Sequence, residues 1–148
     1  MPRGARRLPS ACVDALERAN LILHVGDFTS LAFFEELEAI AEVAAVHGNM
    51  DEPALRASLA ERLVVEVEGM RIGLVHDAGP AGGRYERLRA GFAGCDAIAY
   101  GHTHLPEVTR CGGTWILNPG SPTERRRAAG HAMIVLERGT PHLVSLDD

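Results

Sequence analysis

The distribution of apolar residues divides the first part of the chain into short strands and amphipathic helices. Runs rich in Leu, Ile, Val and Ala at residues 21–25 and 43–47 are typical of buried strands. Apolar residues spaced three and four positions apart predict helices at residues 10–19, 30–39 and 52–59. This order predicts units in which strands and helices alternate.

The pattern becomes rich in strands after residue 60. Strands are predicted at residues 63–67 and 71–75, and Glu68-Gly69 between them is typical of a hairpin turn. A helix is predicted at residues 85–92. The remaining predicted strands are residues 97–100, 107–111, 114–117, 132–137 and 141–146. Early alternation followed by hairpins predicts an α/β sandwich of two mixed β-sheets with helices outside.

Composition narrows the class of protein. The 148 residues fit one domain, and 46% hydrophobic residues are enough for a core. A net charge of -5 argues against a broad nucleic-acid-binding surface, although Arg125-Arg126-Arg127 is a local basic run. The three cysteines form no Cys-x-x-Cys pair and imply no disulfide framework. Because no apolar run approaches about 20 residues and no signal peptide follows Met1, we expect a cytoplasmic protein without a membrane span.

Two histidines follow the apolar run at residues 97–100. Within Gly101-His102-Thr103-His104, the two imidazoles are two positions apart and project to the same side of an extended backbone. Imidazole is the commonest metal-binding side chain. Taken alone, this stretch fits a strand end with two exposed histidines as well as it fits a pair of metal ligands.

Three other predicted strand ends also present polar side chains: Asp27, Asn49 and His76. In α/β sheets, sites form at the carboxyl ends of strands, so these residues would meet the two histidines. A carboxylate, an amide oxygen and imidazoles suit Mn²⁺, Fe, Zn²⁺ or Ni²⁺. The two oxygens of Asp27 could bridge a pair of metals, and such a pair can hold a phosphate and generate hydroxide. Each Gly-Asp or Gly-Asn pair taken singly is also typical of a simple turn.

Five motifs in order along residues 8–146 resemble those of calcineurin-like metallophosphoesterases, and most closely the small YfcE-type phosphodiesterases. The motifs are Gly26-Asp27, Gly48-Asn49-Met50-Asp51, His76, Gly101-His102-Thr103-His104 and Asn118-Pro119-Gly120-Ser121. The resemblance implies a four-layer α/β/β/α sandwich. It also implies a phosphodiesterase in which metal-bound hydroxide attacks a small phosphodiester.

The same resemblance assigns roles to five residues. Asp27 would bridge two divalent metals, with Mn favoured. Asn49, His76 and His102 would complete one metal site, and His104 would belong to the other. Asn49 and His104 would also help to hold the charge that develops during catalysis. The turn that begins at residue 118 is expected to pack near the site, and substrate contact there is the less favoured interpretation.

The sequence departs from the family pattern in two places. Met50 stands where many members carry a histidine that protonates the leaving group, and a thioether cannot donate a proton. This favours phosphodiesters or activated esters over alkyl phosphomonoesters. The family also begins with a strand carrying Asp-x-His, and this sequence contains no Asp-x-His. We therefore expect residues 1–148 to be a single domain that lacks its first strand, with Met1 either an internal methionine taken as a start or the boundary of an expressed piece.

Two classes of function remain open. The first is a metal-dependent phosphodiesterase, and the second is a binding scaffold that keeps the fold with little or no catalysis. If the first strand is missing, the chain should bind one metal well and a second weakly. Assembly of identical chains also stays open. Structural roles are expected for the other histidines: His24 within a strand, and His47, His131 and His142 on the surface or in strands.

Overall fold

The computed structural model describes residue 4 and residues 6–147. In this part of the chain the helices α1–α4 are Ser10–Glu17, Leu31–Ile40, Pro53–Ser58 and Arg84–Gly91. The strands β1–β9 are Ile22–His24, Val43–Ala45, Arg62–Val67, Met70–Val75, Ala97–Tyr100, Glu107–Cys111, Thr114–Asn118, Ala132–Glu137 and Thr140–Ser145. Each helix and strand that the apolar pattern predicts is present, and the ends differ from prediction by at most two residues.

One side of the molecule is a continuous mixed sheet in the order β3-β4-β5-β7-β6. Strands β4, β5 and β7 are parallel, and the two outer strands run antiparallel to their neighbours. Side chains along β5 alternate between two hydrophobic clusters, with Ala97 on one face and Ile98 and Tyr100 on the other. Helix α4 covers the second face through Leu88, and Phe92 directly after the helix packs on the same face.

The other layer consists of two separate pieces in the described part of the chain. Strands β1 and β2 form a parallel pair, and β8 and β9 form an antiparallel hairpin. The predicted second mixed sheet is therefore not continuous, because no described strand joins β1 to β8. The expected first strand lies outside the described residues and stays a prediction.

Two clusters of apolar side chains hold the helices and the two sheet layers together. Helices α1 and α2 pack on the β1–β2 pair, where Ile22, Phe33 and Leu37 are buried. A separate cluster lies between the five-stranded sheet and the split layer, and includes Leu74 and Leu117. No helix in residues 6–147 is long and apolar enough to cross a membrane.

Candidate metal centre

The carboxyl ends of two parallel strand pairs bring the predicted ligands to one edge of the fold. Asp27 and Asn49 follow β1 and β2, while His76 and His102 follow β4 and β5. The first two strands belong to the split layer and the other two to the continuous sheet. The centre therefore lies where both layers end, as expected for a site at strand carboxyl ends.

The side chains of these four residues meet around one atom, Nε2 of His76. The amide Oδ1 of Asn49 lies 3.0 Å from it, and Oδ2 of Asp27 lies 3.3 Å from it. Nδ1 of His102 is also 3.3 Å away, and the two imidazole rings stand nearly perpendicular, at 83°. The structure thus brings Asp27, Asn49 and His102 into contact with His76.

The orientation of His76 is set by its other ring nitrogen. Nδ1 lies 2.7 Å from the carbonyl oxygen of Val25, an acceptor, so this nitrogen carries the proton that is donated. The neutral ring therefore directs the lone pair of Nε2 toward the Asp27 and Asn49 oxygens. Lone pairs that face one another in this way favour a cation between them, either a proton or a metal.

The pKa values of Asp27 and His76 reflect the same arrangement. Burial by itself would raise the pKa of Asp27, but the hydrogen bond to His76 and the 2.8 Å bond from the Met50 amide lower it to about 2. Burial would lower the pKa of His76, but its hydrogen bond and attraction to Asp27 raise it overall. A negative carboxylate beside a basic imidazole is a suitable ligand pair for a divalent ion.

The distances between these donor atoms match those between neighbouring ligands of a single metal ion. Metal–ligand bonds of about 2.1 Å place neighbouring donor atoms about 3.0–3.4 Å apart. Within residues 6–147, however, no three His, Cys, Asp or Glu side chains already surround a position where an ion could sit. The donor atoms instead cluster around Nε2 of His76, which occupies the centre of the group. The residue types fit a divalent metal, and binding would require these side chains to move apart slightly.

His104 is placed beside this cluster and is held from a different loop. It lines the same cavity as Asp27, His76 and His102. Its Nδ1 donates a hydrogen bond to the carbonyl oxygen of Glu124, which leaves Nε2 as the free ring nitrogen. Burial lowers the pKa of His104. A neutral imidazole is the form that can bind a metal.

Glycine is required where the loops after β1 and β2 cross. A Cβ on Gly48 would lie 2.1 Å from Oδ1 of Asp27, and one on Gly26 would lie 2.7 Å from the Gly48 nitrogen. Real Cβ atoms do not make such contacts, so any side chain at residue 48 would displace the Asp27 carboxylate.

Three predicted ligands have a backbone conformation that is unfavourable for side chains other than glycine. The φ angles of Asp27, His102 and His104 are 62°, 66° and 61°. This left-handed conformation costs about 1 kcal/mol or more for each such residue. The surrounding structure therefore holds these side chains against their backbone preference.

Asp51 is a buried residue of the site whose supporting role was not predicted from the sequence, where it stands only as the last residue of a motif. Its Oδ2 accepts hydrogen bonds from the amides of Asp27, at 3.0 Å, and Gly48, at 2.7 Å. Its Oδ1 accepts a third, from the Thr29 amide at 2.8 Å. One carboxylate therefore joins the loops that carry Asp27 and Asn49. The signal in the sequence was an acidic residue two positions after Asn49.

Asn118 supports the histidine loop from the neighbouring strand β7. This fully buried side chain donates to the Gly101 carbonyl at 3.3 Å and to Oγ1 of Thr103 at 3.0 Å. Its own oxygen accepts from the Gly120 amide at 2.9 Å. The turn that begins at Asn118 therefore packs against the site and sets the position of residues 101–104.

The other histidines lie outside the cluster. His24 is buried, stacks on Phe28 with ring centroids 3.6 Å apart, and accepts a hydrogen bond from the Gly26 amide. His131 pairs with Asp147 at 2.6 Å. His47 is half-buried and His142 is exposed.

The basic run lies at the edge of the site. Arg125, Arg126 and Arg127 are exposed. Arg126 donates a hydrogen bond to the carbonyl oxygen of His102 at 3.2 Å. A guanidinium is therefore held beside the predicted ligands, where it could meet an anionic group.

An α/β fold with carboxylate, amide and imidazole groups at its strand ends is typical of metal-dependent enzymes. Residues 4–140 match the model of the calcineurin-like phosphoesterase superfamily domain. The chain belongs to this superfamily.

Two archaeal relatives agree with this assignment. A probable metallophosphoesterase of Methanothermobacter thermautotrophicus is 37% identical over 137 residues, which cover 91% of this chain and 79% of that protein. A probable metallophosphoesterase of Methanocaldococcus jannaschii is also 37% identical, over 82% of this chain and 63% of that protein. The chain therefore spans less than two thirds of the second relative.

A solved structure supports the fold independently of these names. The single mutant of Vps29 from Entamoeba histolytica superimposes with a TM-score of 0.75 at 25% sequence identity. The match covers 98% of this chain and 93% of that one. The protein thus has a Vps29-like metallophosphoesterase fold with mixed sheets and helices.

Proposed function

We propose that this protein is a divalent-metal-dependent phosphodiesterase built on a four-layer α/β/β/α sandwich. The observation that carries the proposal is the cluster around Nε2 of His76. Donor atoms of Asp27, Asn49 and His102 lie 3.0–3.3 Å from it, at separations that neighbouring metal ligands have. Membership in the superfamily supports the same reaction class.

Asp27, Asn49, His76 and His102 would hold one divalent metal. His104 would hold a second together with Asp27, and we expect weaker binding there because the family's Asp-x-His ligands are absent from this sequence. Oxygen and imidazole donors make Mn²⁺ the favoured ion, with Fe, Ni²⁺ and Zn²⁺ as the alternatives. A bound divalent ion would supply Lewis-acid chemistry and make water nucleophilic near neutral pH.

The residues of this chain would contribute position and charge. The bond from His76 to the Val25 carbonyl holds its ring so that Nε2 faces the ligand cluster. Asn49 is exposed at the mouth of the site, where its amide can donate to a phosphoryl oxygen as negative charge develops. His104 keeps a free nitrogen on the same cavity.

Met50 supports a diester as the substrate class. Its side chain is 43% exposed and follows Asn49, at the position where a proton donor would assist a poor leaving group. Because methionine cannot donate a proton, esters whose leaving groups depart without protonation are favoured. A small phosphodiester is the substrate that we propose, and Arg126 beside the site would attract its anionic phosphate.

The test is hydrolysis of bis-p-nitrophenyl phosphate by the protein with added Mn²⁺, together with calorimetric titration of Mn²⁺ binding. Asp27→Asn keeps the shape of the side chain but removes its charge, so we expect almost complete loss of turnover and at least tenfold weaker binding. Asp14→Asn, on the exposed side of α1, is the matched control and should change neither. Wild-type turnover by Asp27→Asn would refute the mechanism.

A binding scaffold is the second candidate function. Two observations favour it: the Vps29-like fold, and the lack, among residues 6–147, of three His, Cys, Asp or Glu side chains already placed around an ion. On this alternative, the folded protein would show no hydrolysis with Mn²⁺, Fe²⁺, Ni²⁺ or Zn²⁺. Metal-dependent turnover that Asp27→Asn abolishes would exclude it.

A further inference from the structure

A second cavity lies beside the metal centre and is lined by polar residues alone. Its volume is about 390 Å³. We call it the arginine pocket, and the residues that line it are Arg6, Thr123, Glu124, Arg125, Arg126 and His131. With histidine neutral, three arginines and one glutamate give this lining a charge of +2, on a chain whose net charge is -5. A polar cavity with surplus positive charge is suited to an anion.

The arginine pocket adjoins the loop that carries two of the predicted metal ligands. The carbonyl oxygen of Glu124 accepts the hydrogen bond from Nδ1 of His104. Arg126 donates a hydrogen bond to the carbonyl oxygen of His102 at 3.2 Å. Two residues that line the pocket therefore contact the histidine loop directly. An anion bound in the pocket would lie beside a substrate held at the metal centre.

The loop that forms most of the arginine pocket is fixed by its own hydrogen bonds. The Ala132 amide donates to the Ser121 carbonyl at 3.1 Å, which closes the loop at its base. Arg125 donates to the Ala129 carbonyl at 3.2 Å across the loop. A guanidinium has five N–H donors in a planar fork, so each arginine keeps donors that suit phosphate oxygens. These contacts distinguish the pocket from a basic run that is only solvated.

Two carboxylates lie near the arginine pocket, and both have partners. Oε2 of Glu124 is 3.4 Å from Nη1 of Arg6. Asp147 does not line the pocket, and it accepts hydrogen bonds from the amide and the ring of His131, at 2.8 Å and 2.6 Å. Glu124 is therefore the acid in the lining that would oppose a bound anion. Removal of its charge should strengthen anion binding.

A buried hydroxyl in the lining of the arginine pocket lacks a partner. Thr123 is 8% exposed, and its Oγ1 has no hydrogen-bond partner among the described residues. The amides of Thr123 and Glu124 donate to Oγ of Ser121, at 3.3 Å and 3.0 Å, so the turn itself is satisfied without this hydroxyl. A buried polar group without a partner is unfavourable. A phosphate oxygen in the pocket would supply the missing acceptor after rotation of the side chain.

We propose that the arginine pocket binds a second phosphate group of the substrate, so that the preferred substrate is a small phosphodiester that also carries a phosphomonoester. This inference rests on the proposed hydrolysis at the metal centre. The diester would lie at the metal centre and the second phosphate in the arginine pocket, where it takes no part in bond breaking. Binding of a group remote from the reacting atoms lowers KM and leaves kcat unchanged.

The kinetic experiment compares two esters that share one scissile bond and one leaving group. They are thymidine 5′-(p-nitrophenyl phosphate) and the same compound with a 3′-phosphate, each hydrolysed by the 148-residue protein with Mn²⁺. Charge-assisted hydrogen bonds to the added phosphate should lower KM about tenfold. The kcat values should agree within about twofold. The difference in KM should shrink at about 1 M salt, because exposed charges are screened.

Charge variants of the arginine pocket should change the KM ratio of the two esters in opposite directions. The double variant Arg6→Gln/Arg125→Gln should bring the two KM values within about twofold. Glu124→Gln should widen their ratio by about threefold, because the opposing charge is gone. Arg110→Gln removes an exposed arginine of β6 outside the pocket and should leave the ratio unchanged. A purely structural role for Glu124 would not strengthen binding of the second phosphate.

A binding measurement separates failure of this proposal from failure of the proposed hydrolysis. Inorganic pyrophosphate is added to protein freed of metal by a chelator and dialysed, and the amide signals of residues 123–126 are followed by heteronuclear NMR. These signals should shift saturably in the wild type and in Arg110→Gln. They should not shift in Arg6→Gln/Arg125→Gln. The measurement needs neither metal nor turnover.

Three results would overturn the proposal. Absence of the amide shifts would show that the arginine pocket binds no phosphate. Equal KM values for the two esters, with the shifts present, would identify a free anion as the ligand. A KM ratio that neither Glu124→Gln nor the double variant changes would place the second phosphate elsewhere. Absence of hydrolysis of both esters is a different outcome, since it would refute the proposed phosphodiesterase and the substrate assignment with it.

Discussion

The two halves of the candidate metal centre are supported in different ways. His76, His102 and the supporting Asn118 come from β4, β5 and β7, three neighbouring strands of the continuous sheet. Asp27 and Asn49 come from β1 and β2, a pair in which each strand has three residues. The histidine half therefore rests on an extended hydrogen-bonded sheet, and the Asp27 half rests on a short one.

Polar contacts compensate for the short strands. The loops after β1 and β2 share the Asp51 carboxylate, which accepts three backbone hydrogen bonds. The histidine loop receives fewer such contacts, from Asn118. Where the sheet is short, a buried side chain replaces strand pairing as the support for the ligands. Removing that side chain should therefore damage the Asp27 half more than the histidine half.

The largest expected effect is from Asp51→Ala. Hydrogen bonds to charged groups contribute about 1.5–3 kcal/mol each, and this substitution leaves three amides without their acceptor. We expect a loss of about 4.5 kcal/mol, the lower end of their sum, in the free energy of unfolding measured by urea denaturation.

Asn118→Ala supplies the matching measurement on the histidine half, and about 2 kcal/mol is expected there. Asp14→Ala on exposed α1 should change stability by less than about 0.5 kcal/mol. Equal losses for Asp51→Ala and Asn118→Ala would contradict the difference between the two halves.

A smaller effect is expected from Gly48→Ala. The added methyl group would meet Asp27 Oδ1 and the Asp27 nitrogen, so the carboxylate must move while the histidines stay in place. We expect Mn²⁺ affinity to fall about 10- to 100-fold in calorimetric titration. Gly82→Ala is the control, since nothing lies within 4 Å of its added methyl group. Unchanged affinity in Gly48→Ala would show that the Asp27 half does not bind metal.

The pH dependence of stability provides a third test. Burial lowers the pKa of His24 in the β1 edge from 6.5 to about 3. A histidine that is neutral when folded stabilises the protein above pH 6.5, and this contribution is lost as pH falls toward 3. When the pH falls from 8 to 5, His24 should lower the free energy of unfolding by about 2 kcal/mol.

His24→Phe keeps a ring against Phe28 but cannot titrate. Its stability should therefore fall less than that of the wild type over the same pH range, in urea denaturation at each pH. Parallel pH profiles for the two proteins would show that His24 is not kept neutral by burial.

The smallest effect is expected from Met50→His on the Asp27 half. A proton donor beside Asn49 should increase hydrolysis of an alkyl phosphomonoester by about tenfold, below the usual range for an evolved general acid because nothing orients the new ring. Hydrolysis of bis-p-nitrophenyl phosphate should change little, since its leaving group needs no proton. An equal gain with both substrates would argue against proton donation.

Most of the fold was predictable because burial and periodicity agree along the chain. The apolar runs at residues 97–100 and 132–137 coincide with β5 and β8, and Ser30 caps α2 through a bond from the Phe33 amide. A missing first strand was expected from the motif pattern, but the place of the gap, between β1 and β8, was not predictable because strand pairing between distant segments leaves no periodic signal.

The meeting of four predicted side chains at one edge of the fold was predictable from the sequence, and the contacts that support them were less so. Strand ends identify Asp27, Asn49, His76 and His102 because parallel strands finish at one edge. Asp51 and Asn118 act through backbone groups distant in sequence, and such contacts depend on how the loops cross in space. Their supporting roles could therefore be identified only from the three-dimensional structure.

The left-handed backbone at Asp27, His102 and His104 lowers the free energy of unfolding of this protein. Glycine at any of the three positions would relax the chain by about 1 kcal/mol and remove a proposed ligand at the same time. Engineering guided only by melting temperature would therefore favour replacement of these three candidate ligands.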